Sequence, residues 1–425
     1  MNEFDKIFGY ENEKQEMLRL CDVLNNRKKY EDLGITLPKA ILLYGDPGLG
    51  KTLMAKAFIS ATGRKVFHCK KNKSNGEFVN EIKGTFENAI KNAPSIIFFD
   101  DMDKFAEDNL QQNCNKEEFV AIQTGLEDIE DNDVFVIATA NDIYNLPNSL
   151  MREGRFGKKL QFSAPSLEDS AKIIAYYLAS KKVSSDVKAE SLAHILCGYS
   201  CAMLENVINE AGIYAAYSGA QEITLDHIRE AVSKIVIERT PLSKNDSAKP
   251  IIAYHEAGHA VMHLLAHREV GCLAIGKCGK DGLGVGVCTL ARPGKTASYE
   301  EIHNYILTLL AGKAGSELQF GVVDTGVEKD IDEAMYVIRK NLQLSILFGF
   351  EYCYTAEKYE DSQSYRQLDK NQEKAVQLLE EYYNEARAIL IKYKYLLDAI
   401  ANELIEKEIL LYDDIVRIVA EYDID

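Results

Sequence analysis

Apolar residues in the first third of this chain come in short unbroken runs. Ala40-Ile41-Leu42-Leu43-Tyr44, Ser95-Ile96-Ile97-Phe98-Phe99 and Val134-Phe135-Val136-Ile137-Ala138-Thr139-Ala140 are too short for helices and do not alternate with polar residues. They predict strands buried on both faces, as in a parallel sheet. Glu11 to Arg27 has helical spacing with a mixed-charge face. From Pro165 onward the spacing is helical, with helices expected at about 167–182, 188–197, 201–217 and 225–237. Ser166, Ser200 and Thr224 read as their N-caps. Glu238 to Pro250 is polar and interrupted by Pro241 and Pro250, a linker pattern. Pro250 then suits the first turn of an apolar helix carrying Ile251, Ile252, Tyr254, Ala257, Val261, Leu264 and Leu265. Leu273-Ala274-Ile275 and Leu283 to Cys288 predict a short hairpin. Near the end, Ala375, Leu379, Tyr382, Ala386, Ile389, Tyr393, Leu396 and Ile400 recur at steps of four and three, a packing seam between helices.

Composition narrows the function classes. A chain of 425 residues has room for two to four domains with ample cores. A formal net charge of −17 argues against nucleic acid and anionic membrane surfaces as main partners. Nine cysteines without a C-x-x-C pair read as unpaired thiols in a reducing compartment. No apolar run reaches the length of a membrane span, and Met1 to Asp5 do not resemble a signal peptide.

The first strand runs straight into Gly45-Asp46-Pro47-Gly48-Leu49-Gly50-Lys51-Thr52, the pattern G-x-x-x-x-G-K-T. Its glycines let backbone N–H groups turn toward phosphate oxygens, and the helix that follows offers its positive end to the same anion. Lys51 is placed to reach the outer phosphates, and the Thr52 hydroxyl to ligate Mg²⁺. The second strand ends in Asp100 and Asp101. Asp100 reads as the Mg²⁺ partner, Asp101 as the group that polarises the attacking water. Asn141 closes the third strand and is placed to orient that water.

A second chemistry lies in His255-Glu256-Ala257-Gly258-His259, the pattern H-E-x-x-H. On a helix the two imidazoles share one face and can grip one Zn²⁺. Glu256 is then placed to take a proton from a metal-activated water. His263 and His267 continue the four-residue stripe and read as core or same-face polar residues. A catalytic zinc needs a third protein ligand. Glu317, Asp324, Glu328, Asp330, Asp332 and Glu333 are candidates, and spacing alone does not choose among them.

Gly45 to Thr52, Ile96 to Asp101, Ala138 to Asn141, Arg152-Glu153-Gly154-Arg155-Phe156 and His255 to His259 together resemble the FtsH-type AAA+ zinc metalloproteases, from about Phe4 to Val419. The resemblance implies an α/β AAA+ P-loop ATPase domain with a helical lid, followed by a mostly α-helical zinc metallopeptidase domain. Expected boundaries are about 1–160, 161–240, a linker at 241–250, and 251–425. It makes ATP the nucleotide, with Ile7, Phe8 and Gly9 bordering the adenine. It makes Arg152 and Arg155 arginine fingers that serve a neighbouring subunit, hence a homohexameric ring. It carries the third zinc ligand to Asp330, through the stretch Thr325-Gly326-Val327-Glu328-Lys329-Asp330.

The chain departs from the family in several places. Asp101 stands where a glutamate is usual, which shortens the carboxylate's reach by about 1.5 Å and predicts slow ATP hydrolysis. Ser200-Cys201-Ala202-Met203 replaces the family's Ser-Gly-Ala-Asp. Lys329 replaces an asparagine. Phe78 is the nearest match to the aromatic grip of the family's central-pore loop; the other reading of Phe78 is a loop anchor. The expected activity is ATP-driven, zinc-dependent cleavage of unfolded or misfolded proteins. The alternative is a remodelling or assembly ATPase that rarely cuts its clients. The expected setting is soluble and cytoplasmic, with membrane association only through a partner or a preceding segment.

Overall fold

The three apolar runs become strands β1 (Ala40–Tyr44), β3 (Ser95–Phe99) and β4 (Val134–Ala140), joined by β2 (Lys65–Cys69) and β5 (Lys158–Gln161). All pairings are parallel, in the order β2-β3-β4-β1-β5. The computed structural model describes residues 3–71, 75–106, 117–240, 246–266, 268–278, 284–286, 298–322, 326–343 and 362–422. Pro241, His267, Leu283, Cys288, Asp324 and Thr325 lie outside them.

Residues β3 and β4 are buried throughout, as a sheet covered on both faces requires. Successive side chains take opposite faces. Ile41, Leu43, Ile96, Phe98, Phe135 and Ile137 pack with helices α1 (Glu11–Asn25) and α3 (Lys51–Thr62) on one side. After the short α2 (Arg27–Glu31) come α4 (Asn75–Lys91) and α5 (Glu117–Asp128), which meet Leu42, Ile97, Phe99, Val136 and Ala138 on the other face. Phe78 sits on α4 with no exposed surface, edge-on to Phe105 at 4.8 Å between ring centroids. It is a core anchor and not an exposed grip.

Helices α6 (Leu167–Ala179), α7 (Ala189–Ile195), α8 (Cys201–Tyr217) and α9 (Leu225–Ile235) follow. Ser166 Oγ accepts the Asp169 N–H at 3.1 Å, and the Ser200 hydroxyl oxygen accepts the Met203 N–H at 3.4 Å. The Thr224 N–H donates to His227 Nδ1 at 3.1 Å. Helix α6 stops short of the expected 182 because the chain there turns extended: Val183 pairs with Ile223. The Ile223 N–H donates to the Lys182 carbonyl, and the Ser184 N–H to the Ile223 carbonyl.

The described chain forms two compact units. One is Met1–Ser180 with Cys197–Asn206, the other Lys181–Leu196 with Val207–Asp425. In the second unit, α10 (Lys249–Leu265) carries Pro250 in its first turn. Strand β7 (Cys272–Cys278) pairs antiparallel with β6 (Arg239–Thr240), β8 (Gly284–Gly286) and β9 (Ile409–Leu411). The core is helical: α11 (Tyr299–Phe320), α12 (Val327–Gln343), α13 (Ser362–Lys392), α14 (Lys394–Lys407) and α15 (Tyr412–Ala420). Of the seam residues, Ala375, Tyr382, Ala386, Leu396 and Ile400 are buried in this core, and Leu379, Ile389 and Tyr393 pack against it.

Helices α10 and α11 cross through glycines. A Cβ on Gly258 would stand 2.2 Å from the Ala311 carbonyl oxygen, and one on Gly315 2.4 Å from that of Tyr254. Only hydrogen fits at these two positions, so the backbones approach closely.

Candidate functional site

Two clusters of chemically active side chains form, one in each unit. The first is built on α10 and α12. The four-residue spacing stacks His255 above His259, and Asp330 comes from the opening turn of α12. Asp330 Oδ2 lies 3.1 Å from His255 Nε2 and 3.2 Å from His259 Nε2, and the two Nε2 atoms are 3.0 Å apart. Ligand atoms about 2.0–2.1 Å from a tetrahedral zinc stand roughly 3.3 Å from one another. The triangle fits that ion.

The electrostatics favour a cation. Burial alone would push His259 down. The carboxylates of Asp330 and Glu256 outweigh it and raise the ring to about 9. Burial would raise Asp330, but the two imidazoles hold it well below the usual carboxylate range. His259 Nδ1 lies 2.7 Å from the Thr308 carbonyl oxygen on α11. A proton on Nδ1 donated there leaves Nε2 free as ligand, the usual outer support for a metal-binding histidine. Among the described residues, His255 Nδ1 is buried without a hydrogen-bond partner. Glu256 is 6% exposed, its carboxylate 3.9 Å from His255 Nε2.

Gly312 lines the same cluster from α11. A Cβ there would lie 2.4 Å from His259 Nε2 and 2.7 Å from His255 Nε2, in the space the ion needs. Sequence reasoning passed over Gly312 and Thr308. The signal that was available is the run Ala311-Gly312-Lys313-Ala314-Gly315, small residues at helix-crossing spacing in an apolar helix.

The second cluster follows β1. Gly45, Gly48 and Gly50 all have positive φ, and α3 begins at Lys51. The loop borders a cavity of about 650 Å³ lined by Pro47, Gly48, Leu49, Gly50, Lys51 and Thr52, together with Ile7, Phe8, Asp101 and Asn141. Lys51 is 5% exposed, and its Nζ donates to the carbonyls of Gly45 (2.6 Å) and Asp46 (2.7 Å) and to Asn141 Oδ1 (3.0 Å). Burial lowers its pKa; Asp101, Asp103, Asp46 and Asp100 oppose that. The Thr52 hydroxyl donates to Asp100 Oδ1 at 3.0 Å, so the two Mg²⁺-ligand candidates meet.

Other expected residues stand differently. Asp101 borders the cavity in left-handed backbone, φ 55°, a conformation that aspartate enters more readily than most residues. Its N–H donates to Thr139 Oγ1, and its carboxylate pairs with Lys104 at 3.0 Å. Gly9 does not line the cavity. It makes the turn beside it at φ 73°, where a Cβ would meet Asp169 at 2.8 Å. Arg152 is exposed, and Arg155 donates to the Ser149 carbonyl and to Glu127, each at 2.6 Å. Neither arginine lines this cavity. Tyr10, Phe162, Tyr176, Tyr177, Cys201 and Glu205 do line it and were not anticipated as binding residues.

The profile of the ATPase family associated with various cellular activities (AAA) matches residues 41–164, and that of peptidase family M41 matches 243–418. The "ATP-dependent zinc metalloprotease FtsH" of Cyanidium caldarium is 30% identical over 461 residues, which cover 98% of this chain and 72% of that protein. This chain belongs to the FtsH family. The protein of the same name from Lactococcus lactis is also 30% identical, over 96% of this chain and 62% of its own length. That from Borreliella burgdorferi is 29% identical over 96% and 68%. This FtsH-family chain thus spans from 62% to 72% of these three relatives. Among its described residues no helix is long and apolar enough to cross a membrane.

Proposed function

We propose that this chain is an ATP-dependent zinc endopeptidase that draws in unfolded or misfolded proteins and cleaves them. The observation that carries the reading is the triangle of His255, His259 and Asp330, with ligand atoms 3.0–3.2 Å apart beside a buried Glu256. A bound Zn²⁺ supplies Lewis acidity and acidifies water. His255, His259 and Asp330 would hold it. Glu256 accepts the proton of the attacking water and returns it to the leaving amine. In the other unit, the loop amides and Lys51 would hold the phosphates of ATP, and Thr52 with Asp100 would hold Mg²⁺.

Arg152 and Arg155 are read as fingers for a neighbouring copy, and the assembly as a homohexamer. The ATPase body is placed at about 1–160, the lid at 161–240, the linker at 241–250 and the peptidase at 251–425. Buried free thiols at Cys21 and Cys69, both pushed up to about 12 by burial, accord with a reducing, cytoplasmic setting.

The test compares wild type with one variant. Glu256→Gln abolishes cleavage of a casein-like substrate and spares ATP hydrolysis, and metal analysis of the wild type finds close to one zinc per chain. Wild type without zinc and without cleavage would end the proposal. A second reading, a remodelling ATPase, draws on the Asp101–Lys104 ion pair and the buried Phe78. It is favoured if wild type and Glu256→Gln change a client's assembly state alike.

A further inference from the structure

The nucleotide cavity has two chemically different ends. Gly48, Gly50, Lys51 and Thr52 make the phosphate end. Phe8 and Tyr176, with ring centroids 4.8 Å apart, mark the other end, where a base fits. Two acids line the cavity among the described residues, Asp101 and Glu205. Asp101 belongs to the phosphate end and is neutralised by Lys104 at 3.0 Å. Glu205 lies on α8, one turn beyond Cys201, which also lines the cavity. Its carboxylate lies close enough to Tyr177 that, after burial, it helps push that phenol up to about 12. The Tyr177 ring lies 5.5 Å from that of Tyr176, and Tyr176, Tyr177 and Glu205 line the cavity together, so Glu205 belongs to the base end.

A carboxylate accepts hydrogen bonds and donates none. In a cavity for a polyanion it repels the ligand unless it faces a donor. A nucleoside triphosphate carries donors in few places: the ribose hydroxyls and, for adenine, the exocyclic amine. We propose that Glu205 is the specificity residue of this cavity and accepts hydrogen bonds from the donor groups of the nucleoside. This rests on the nucleotide reading above and adds to it a residue that reads the sugar or the base.

The experiment measures equilibrium binding of four ligands to the full chain: ATP, 2′-deoxy-ATP, 3′-deoxy-ATP and the purine riboside triphosphate that lacks the amine. Wild type should bind at least one analogue about tenfold more weakly than ATP, and the analogue that loses affinity names the donor. Glu205→Gln should bind ATP about as weakly as that analogue and no longer tell the two apart. Tyr177→Phe should move in the same direction by less. The inference is overturned if wild type binds all four alike. It is equally overturned if Glu205→Gln binds ATP as well as or better than wild type, the result that relief of charge repulsion alone would give. Wild type that binds no ATP would refute the nucleotide reading itself.

Discussion

Gly312 contributes to the metal cluster through the side chain it lacks. Gly312→Ala would bring a methyl group to 2.4 Å from His259 Nε2. The expected outcome is loss of at least ten times in zinc affinity with the helical circular dichroism kept, read by metal titration; second-shell changes of milder kind already cost 10- to about 100-fold. Asp101 poses a different question. Its shorter reach and its pairing with Lys104 predict an ATPase that is slow but real. Single-turnover hydrolysis should be measurably faster in wild type than in Asp101→Asn, and equal rates would remove Asp101 from the chemistry. The P-loop and H-E-x-x-H were legible because each is a local pattern whose spacing fixes its geometry. Asp330 was legible only through the family resemblance: six acids shared its stretch of chain, spacing did not choose among them, and what selects it physically is the placing of α12 against α10.

Helix α10 carries a consequence for pH. His263, one turn past His259, is buried, and burial together with nearby Arg268 lowers it to about 4; a contact with the Glu269 backbone opposes this. In the unfolded chain an imidazole titrates near 6.5. Between those values the unfolded state holds more protons, so stability is complete above about pH 6.5 and falls toward pH 4, by up to about 3 kcal/mol. Thermal melts of metal-free protein should show that slope, and His263→Gln should flatten it. Helix α11 was the element least foreseen. It has little amphipathic pattern because it is buried on nearly every side, from Ile302 to Ser316. Periodicity reports one wet face, and this helix has almost none.

At the scale of the whole molecule, the two proposed activities, carried by separate residues, predict a clean dissection. Lys51→Ala should lose ATP hydrolysis and with it degradation of folded substrates, while short unstructured peptides are still cut in a chromogenic assay. Degradation of folded substrate by that variant would refute coupling. Light scattering should give a particle of about six times 47.7 kDa in the presence of nucleotide; a monomer that hydrolyses ATP at the full rate would rule out shared sites. The parallel sheet was readable from its apolar runs. The base end of the cavity was readable only in part: Ile7 and Phe8 came with the family resemblance and do line it, and the rest did not. Tyr176, Tyr177, Cys201 and Glu205 reach it from helices that follow Gly48 by more than a hundred positions, and no local pattern announces such a meeting.

Arg155 holds the Ser149 carbonyl and Glu127 within its own chain. Should it serve a neighbour's phosphate, that phosphate must first outbid two oxygens already in hand. A solitary subunit would then carry its finger sheathed. Hydrolysis would wait on partners as well as on fuel, and an unassembled copy would idle instead of burning ATP.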